Sequence, residues 1–194
     1  MTKRRCFQLA PGRVIAKNYL VESLLGMGYE GEVYLVRERM TGARRAAKFF
    51  YPERNEKNAA SKHYANKLER LRDCSMVIQY HHAEEIRLQG EPVSVLISEF
   101  VEGQLLSNLL GTYRGKKMPR HEALYLTRTI AAGLAEIHEK REYHGDLHAH
   151  NVLVRRRGVH FDVKLVDMYD RGRATRQHIQ QDVCDVVKIL YDLV

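Results

Sequence analysis

The stretch His144-Gly145-Asp146-Leu147-His148-Ala149-His150-Asn151, with the runs Val152–Arg155 and Val163–Val166 and the acid Asp167 that closes them, decides how this chain is read. Both runs are short and rich in β-branched residues, and Gly158 lies between them, so they predict a β-hairpin. An acid-and-asparagine loop precedes its first strand, and an acid follows its second. His144 and His148 are four apart, which would suit a zinc pair on a helix, but the acid and asparagine around them predict a loop. Carboxylates and a carboxamide are hard oxygen donors of the kind Mg²⁺ takes. A carboxylate in a loop can also orient a hydroxyl or accept its proton.

Upstream, residues 26–33 read Gly-Met-Gly-Tyr-Glu-Gly-Glu-Val between two strand-like runs. Glycines there let backbone N–H groups approach phosphate oxygens where side chains would collide. A strand and not a helix follows Gly31, which excludes the dinucleotide-binding version of such a loop. Ala46-Ala47-Lys48 lies on the next strand, placing an ammonium where it could reach phosphates.

The first half of the chain alternates apolar and polar residues in Tyr19–Leu25, Glu32–Arg37, Arg45–Tyr51, Ile86–Leu88 and Val93–Phe100, an antiparallel-sheet pattern. One helix is predicted among these strands, over about Glu56 to Arg72, with Ala60, Tyr64, Leu68 and Leu71 on one face. From Pro119 onward Ala123, Leu126, Ile130, Leu134, Ile137 and His138 form a helical stripe, and a last helix is predicted near Gln181 with Val183, Val186, Val187, Leu190 and Leu193 as its apolar positions.

In order and approximate spacing, the glycine loop, Ala46-Ala47-Lys48, the 144–151 segment and Asp167-Met168-Tyr169 resemble the protein-kinase-like superfamily. The resemblance implies an α+β, two-lobed fold: an N-terminal extension (1–11), an antiparallel-sheet N-lobe with one helix (12–98), and a shortened, mainly helical C-lobe (99–194) lacking the later helices. It also implies ATP as nucleotide, with Mg²⁺, or Mn²⁺ in its place. By the same resemblance Asp146 orients or deprotonates the attacking hydroxyl, Asn151 and Asp167 hold metal, and Lys48 grips the nucleotide beneath Gly26, Gly28 and Gly31. Ile15 or Leu25, with Val33, Ala46 and Leu153, would sandwich adenine, and the backbone at Glu99 and Val101 would read its edge. Asp182 would brace the catalytic loop by accepting backbone hydrogen bonds. The usual register for the carboxylate partner of Lys48 falls near Tyr64 or Ala65, and Glu69, one turn further along that face, is the candidate.

Departures from the family pattern shape the functional expectation. Gly145 stands where an arginine is usual, and His148 where a lysine is usual, so His148 is expected to touch the γ-phosphate in lysine's place. Asp182 follows Asp167 by only 15 positions, too few for a long activation segment. The run His-Gly-Asp-Leu-His at 144–148 also resembles aminoglycoside phosphotransferases. The expected reaction is transfer of the γ-phosphoryl of ATP to a Ser or Thr hydroxyl of a protein. A small-molecule acceptor is the rival reading, and a pseudokinase binding module is the third. Arg155, Arg156 and Arg157 are expected in a solvated turn, whereas Arg171, Arg173 and Arg176 could meet an anionic acceptor.

Composition sets the outer bounds. With 194 residues, 44% hydrophobic and 29% charged, a sizeable core is possible without disulfides. The cysteines Cys6, Cys74 and Cys184 fit reduced thiols and a cytoplasmic setting. No apolar run approaches the roughly 18 residues of a membrane span. The net charge of +8 favours anionic partners without pointing to nucleic acid.

Overall fold

Alternation along the strands of the first half produces a sheet with two unlike faces. The computed structural model describes residues 6–158, 160–169 and 172–194. Its first sheet contains β1 (Val14–Ile15), β2 (Tyr19–Met27), β3 (Gly31–Glu38), β4 (Arg44–Phe50), β5 (Tyr80–Leu88) and β6 (Glu91–Glu99), and α1 (Ala59–Arg70) interrupts them. The strand order is β1-β2-β3-β4-β6-β5, with every pairing antiparallel. The helix begins at Ala59, later than the predicted start near Glu56, because Lys57 and Asn58 take positive φ, splitting off short 3-10 turns before it. The Asn55 side chain then accepts from Ser61 N at 3.0 Å, satisfying one of the donors that a helix start leaves open.

One face of this sheet is core. Tyr34, Val36, Ala47, Phe49, Val93, Val95 and Ile97 are buried together there with Ile15, Tyr19 and Val21. Phe7 and Leu9, from the segment expected to be an extension, belong to the same cluster, and Phe7 stacks on Tyr51 with centroids 5.4 Å apart. Glu32 anchors them: this buried carboxylate accepts from Phe7 N at 3.0 Å, Tyr34 Oη at 2.5 Å and Tyr51 Oη at 3.0 Å. Three donors offset the several kcal/mol that burying a bare carboxylate costs. Burial, reinforced by the hydrogen bond to Glu32, pushes the Tyr34 hydroxyl up to about 12. The opposite face carries Val33, Ala46 and Lys48, since Val33 pairs with Lys48 and Ala46 with Ser98.

The second half contains β7 (Gln104–Leu105), α2 (Leu106–Thr112), α3 (Arg120–Glu139), β8 (Val152–Arg157), β9 (His160–Leu165) and α4 (Arg176–Leu193). Strands β7, β8 and β9 form a small antiparallel sheet in that order, with β8 and β9 as the predicted hairpin. Of the stripe on α3, Ala123, Leu126, Ile130, Leu134 and Ile137 are buried and His138 is half-buried. On α4 the buried positions are Asp182, Asp185, Val186, Ile189 and Leu193, whereas Val183 and Val187 are exposed. The helix is therefore rotated from its apolar stripe so that two carboxylates point inward. Arg155, Arg156 and Arg157 continue β8 instead of forming the turn, and pair with Glu102, Glu122 and Asp162 at 2.7, 2.6 and 2.5 Å.

Two compact units result: residues up to Glu69 with Gln79–Phe100, and Arg70–Ile78 with Val101–Val194. The segment 70–78 joins the second unit through Leu165 N, which donates to Met76 O at 2.7 Å, and Arg70, which pairs with Glu142 at 2.5 Å. The first unit is an antiparallel sheet with one helix and the second is mainly helical, so the fold is α+β, as the resemblance implied. Among the described residues no helix is long and apolar enough to cross a membrane.

The glycines of the loop differ in what the fold asks of them. A Cβ on Gly31 would fall 1.8 Å from the carbonyl oxygen of Phe49, a backbone atom fixed by the β3–β4 ladder. Gly31→Ala should therefore lower unfolding free energy by about 2 kcal/mol or more, as overpacking does. Gly28→Ala, whose Cβ would meet nothing within 4 Å, should stay within about 1 kcal/mol of wild type. Denaturant unfolding of both variants checks the contrast.

Candidate active site

Lys48 lies on β4 with its side chain 12% exposed, and its Nζ is 2.9 Å from Glu30 Oε2. The ammonium also sits over two rings, 5.1 Å from the centroid of Phe50 and 4.6 Å from that of Tyr64 on α1. Glu69 is exposed near the end of α1. Neither Glu30 nor Tyr64 was singled out as a partner of Lys48 in the sequence. Glu30 occupies the loop between β2 and β3, whose backbone is pinned by Gly28 N to Gly31 O at 2.8 Å and Tyr51 N to Glu30 O at 2.8 Å. Added Cβ atoms at Gly26 and Gly28 would meet nothing within 4 Å, and neither residue takes positive φ. The fold thus gives no reason for glycine at these two positions. Open space above the backbone is what a phosphate-covering loop requires, so the residues present fit a nucleotide phosphate.

Of the adenine candidates, Val33 and Ala46 share the Lys48 face, Leu25 is exposed, and Ile15 is buried in the core on the other face. Leu153, half-buried on β8, belongs to the second unit. The N–H of Glu99 is donated to Gln79 O at 2.8 Å, so that donor is already engaged. Glu99 closes the first unit's sheet, and Val101 opens the second unit after Phe100.

In the second unit the loop 144–151 hangs from one carboxylate. Asp182, with no exposed surface, accepts from His144 N at 2.7 Å and Gly145 N at 2.8 Å, and lies 2.9 Å from His138 Nε2 on α3. Burial pushes its carboxyl up, but the hydrogen bonds from His138, Gly145 and His144 outweigh that and hold it below the usual carboxylate range. In the sequence His138 stands only as a member of the apolar stripe. Gly145 takes φ +82, and a Cβ there would come within 2.7 Å of the Tyr143 ring. Glycine in place of the usual arginine therefore has a steric reason. Tyr143 in turn stacks on His178 at 4.1 Å, and His178 belongs to the capping box that starts α4 at Thr175.

The loop gathers Asp146, His148 and Asn151. Asn151 Nδ2 donates to Asp146 O at 2.8 Å and Oδ2 at 3.2 Å, and His148 Nε2 lies 3.6 Å from Asp146 Oδ2. His148 Nδ1 accepts from His150 N at 3.3 Å, and its Nε2 lies 3.3 Å from Asn151 Nδ2, so the ring is held against both ends of the Asp146–Asn151 pair. The Asp146 and His148 side chains are about half exposed, whereas Asn151 is buried. With its amide nitrogen committed to Asp146, Asn151 presents its Oδ1 as the remaining donor for a cation. Val166 N donates to Asn151 O at 3.0 Å, so Asp167 leaves β9 at the same end of the hairpin. Asp167 has φ 54, and Tyr169 N ties the segment back to His144 O at 2.8 Å. Asn151 and Asp167 supply oxygen donors that fit Mg²⁺, and the described residues hold no group of three or more His, Cys, Asp or Glu arranged for a metal. Arg173 and Arg176 are exposed just beyond, and Arg171 lies outside the described residues.

Asp182→Asn would turn an amide N–H₂ toward backbone donors, and should cost roughly 3 kcal/mol of stability. Because the folded-state pKa of Asp182 is depressed, its contribution is present above the unfolded value and lost as pH falls through the folded one. Urea unfolding from neutral to acidic pH should show this acid-side loss in wild type and a reduced loss in the variant.

The chain has counterparts among known proteins. Residues 19–188 match the protein kinase domain family. The chain is 27% identical over 164 residues to the serine/threonine-protein kinase pkn2 of Myxococcus xanthus, covering 82% of this chain and 19% of that protein. It is 28% identical over 162 residues to the serine/threonine-protein kinase PksC of Streptomyces coelicolor, covering 80% and 28%. Ephrin type-B receptor 1 of Gallus gallus is 30% identical over 145 residues, covering 69% and 13%. The chain thus spans less than a third of the length of each of these relatives. With the family match running from the first long strand into the last helix, the chain belongs to the protein kinase family.

Proposed function

We propose that this chain transfers the γ-phosphoryl group of ATP to a Ser or Thr hydroxyl of a protein substrate. The observation that carries the reading is the Asp146–Asn151 pair, in which one amide orients a half-exposed carboxylate while presenting an oxygen at the metal-binding end of the hairpin. Lys48 grips phosphate oxygens, and the backbone of the loop at Gly26, Gly28 and Gly31 covers them. Asp146 aligns the acceptor hydroxyl and takes its proton as the new phosphate ester bond forms and the bond to ADP breaks. Mg²⁺, or Mn²⁺ in the same donor set, would neutralise phosphate charge when held by Asn151 Oδ1 and Asp167. His148 meets the γ-phosphoryl in the place where lysine is usual. The serine/threonine acceptor draws on the names of the two bacterial relatives. Three free thiols favour a reducing compartment such as the cytoplasm.

A second reading, a small-molecule acceptor, is favoured by one feature: the segment after Asp167 runs almost directly into the Thr175 cap of α4, leaving little chain to hold a peptide.

With γ-labelled ATP and Mg²⁺, wild type should label protein, and Asp146→Ala and Asp167→Ala should each lose at least about a hundredfold in rate. Label appearing only in the small-molecule fraction would favour the second reading. No transfer by wild type, with no nucleotide-induced thermal stabilisation, would leave a binding module. His148→Ala should lose about tenfold in kcat, and His148→Lys should restore most of it, as measured by steady-state kinetics.

A further inference from the structure

A carboxylate that meets Lys48 comes from the phosphate loop itself. An ammonium only 12% exposed needs an anion nearby to remain charged. The helix register facing it carries Tyr64, whose ring lies 4.6 Å from Nζ. A ring quadrupole can orient a cation but cannot neutralise it. Glu30 brings a full negative charge to 2.9 Å.

That carboxylate is delivered from fixed backbone. Tyr51 N, at the end of the lysine's own strand, donates to Glu30 O, and Gly28 N donates to Gly31 O, each at 2.8 Å. The next residue, Gly31, lies so close to Phe49 O that no Cβ fits. Glu30 therefore starts from a point locked to β4, two to three residues beyond Lys48 in the ladder. Its side chain, 34% exposed, reaches back over the strand to the ammonium.

We propose that Glu30 is a positioning residue for Lys48, coupling the glycine loop to the orientation of the lysine. The inference rests on the reading of Lys48 as the ammonium that grips ATP. An ammonium carries three N–H bonds, so one donated to Glu30 is compatible with donation to phosphate oxygens. Tyr64 acts with Glu30, its ring flanking the cation from α1. Glu30 thus ties the lysine's orientation to the glycine loop, and Tyr64 ties it to α1.

The test compares wild type with Glu30→Gln, Glu30→Asp and Glu69→Gln in the full chain. The first readout needs no nucleotide: acylation of Lys48 by an amine-reactive ester at fixed pH, mapped by mass spectrometry. Loss of the facing charge should make the amine easier to deprotonate, so Glu30→Gln should speed acylation several-fold. The second readout is the KM and kcat for ATP·Mg²⁺. Glu30→Gln should raise KM about tenfold, more than it lowers kcat, with Glu30→Asp recovering part of the loss and the unfolding midpoint staying near wild type. Unchanged acylation and KM in Glu30→Gln, or both effects reproduced by Glu69→Gln alone, would overturn the inference while leaving the kinase reading intact. A wild-type chain that binds no ATP would overturn the reading of Lys48 and this inference with it.

Discussion

A carboxylate with no surface exposed to water can persist only if every strong hydrogen-bonding direction is answered, and Asp182 meets that condition with two backbone N–H groups and one imidazole. Much of the second unit depends on how it does so. Accepting from consecutive residues, His144 and Gly145, forces the loop to turn at Gly145. The turn aims Asp146 outward, to where Asn151 can hold its carboxylate. His138 ties the same carboxylate to α3, so two helices and the loop share one buried charge. This explains why α4 turns aspartates inward and leaves Val183 and Val187 exposed: the polar contact fixes the helix's rotation against its hydrophobic pattern.

The stretch between Asp167 and α4 follows from the same anchor. Tyr169 returns to His144 O, and α4 begins after Thr175 with a capping box whose His178 stacks on Tyr143. The loop, the end of the hairpin and the helix start are thereby cross-tied over a few residues. Gly145 is enclosed by this arrangement, because the space an arginine side chain would use at that position is taken by the Tyr143 ring and Tyr169. A loop braced in this way stands in order without a long, modifiable segment to arrange it.

In the first unit, two carboxylates two residues apart on the same chain have opposite surroundings. Glu32 points into the core face, where Tyr34, Tyr51 and the backbone of Phe7 enclose it and hold residues 7–9 against the sheet. Glu30 lies just outside the strand, on the irregular turn, and meets Lys48 on the other face. Period-two alternation would have put both on one side. The turn at Gly28–Gly31 breaks that period, so spacing alone does not place Glu30 beside Lys48.

What the sequence determined by itself was periodic or locally written. Strand alternation, the α3 stripe, the β8–β9 hairpin and the order of the glycine loop, Lys48, Asp146, Asn151 and Asp167 follow from residue type and spacing, because each depends on neighbours a few positions away. Only the tertiary structure decided the partners. Burial of Phe7 and Leu9, the meeting of Lys48 with Glu30 and Tyr64, the grip of His138 on Asp182 and the rotation of α4 all join residues distant in sequence or cross a break in period. A buried charge takes whichever donors the packed chain brings to it, and one-dimensional spacing does not carry that information.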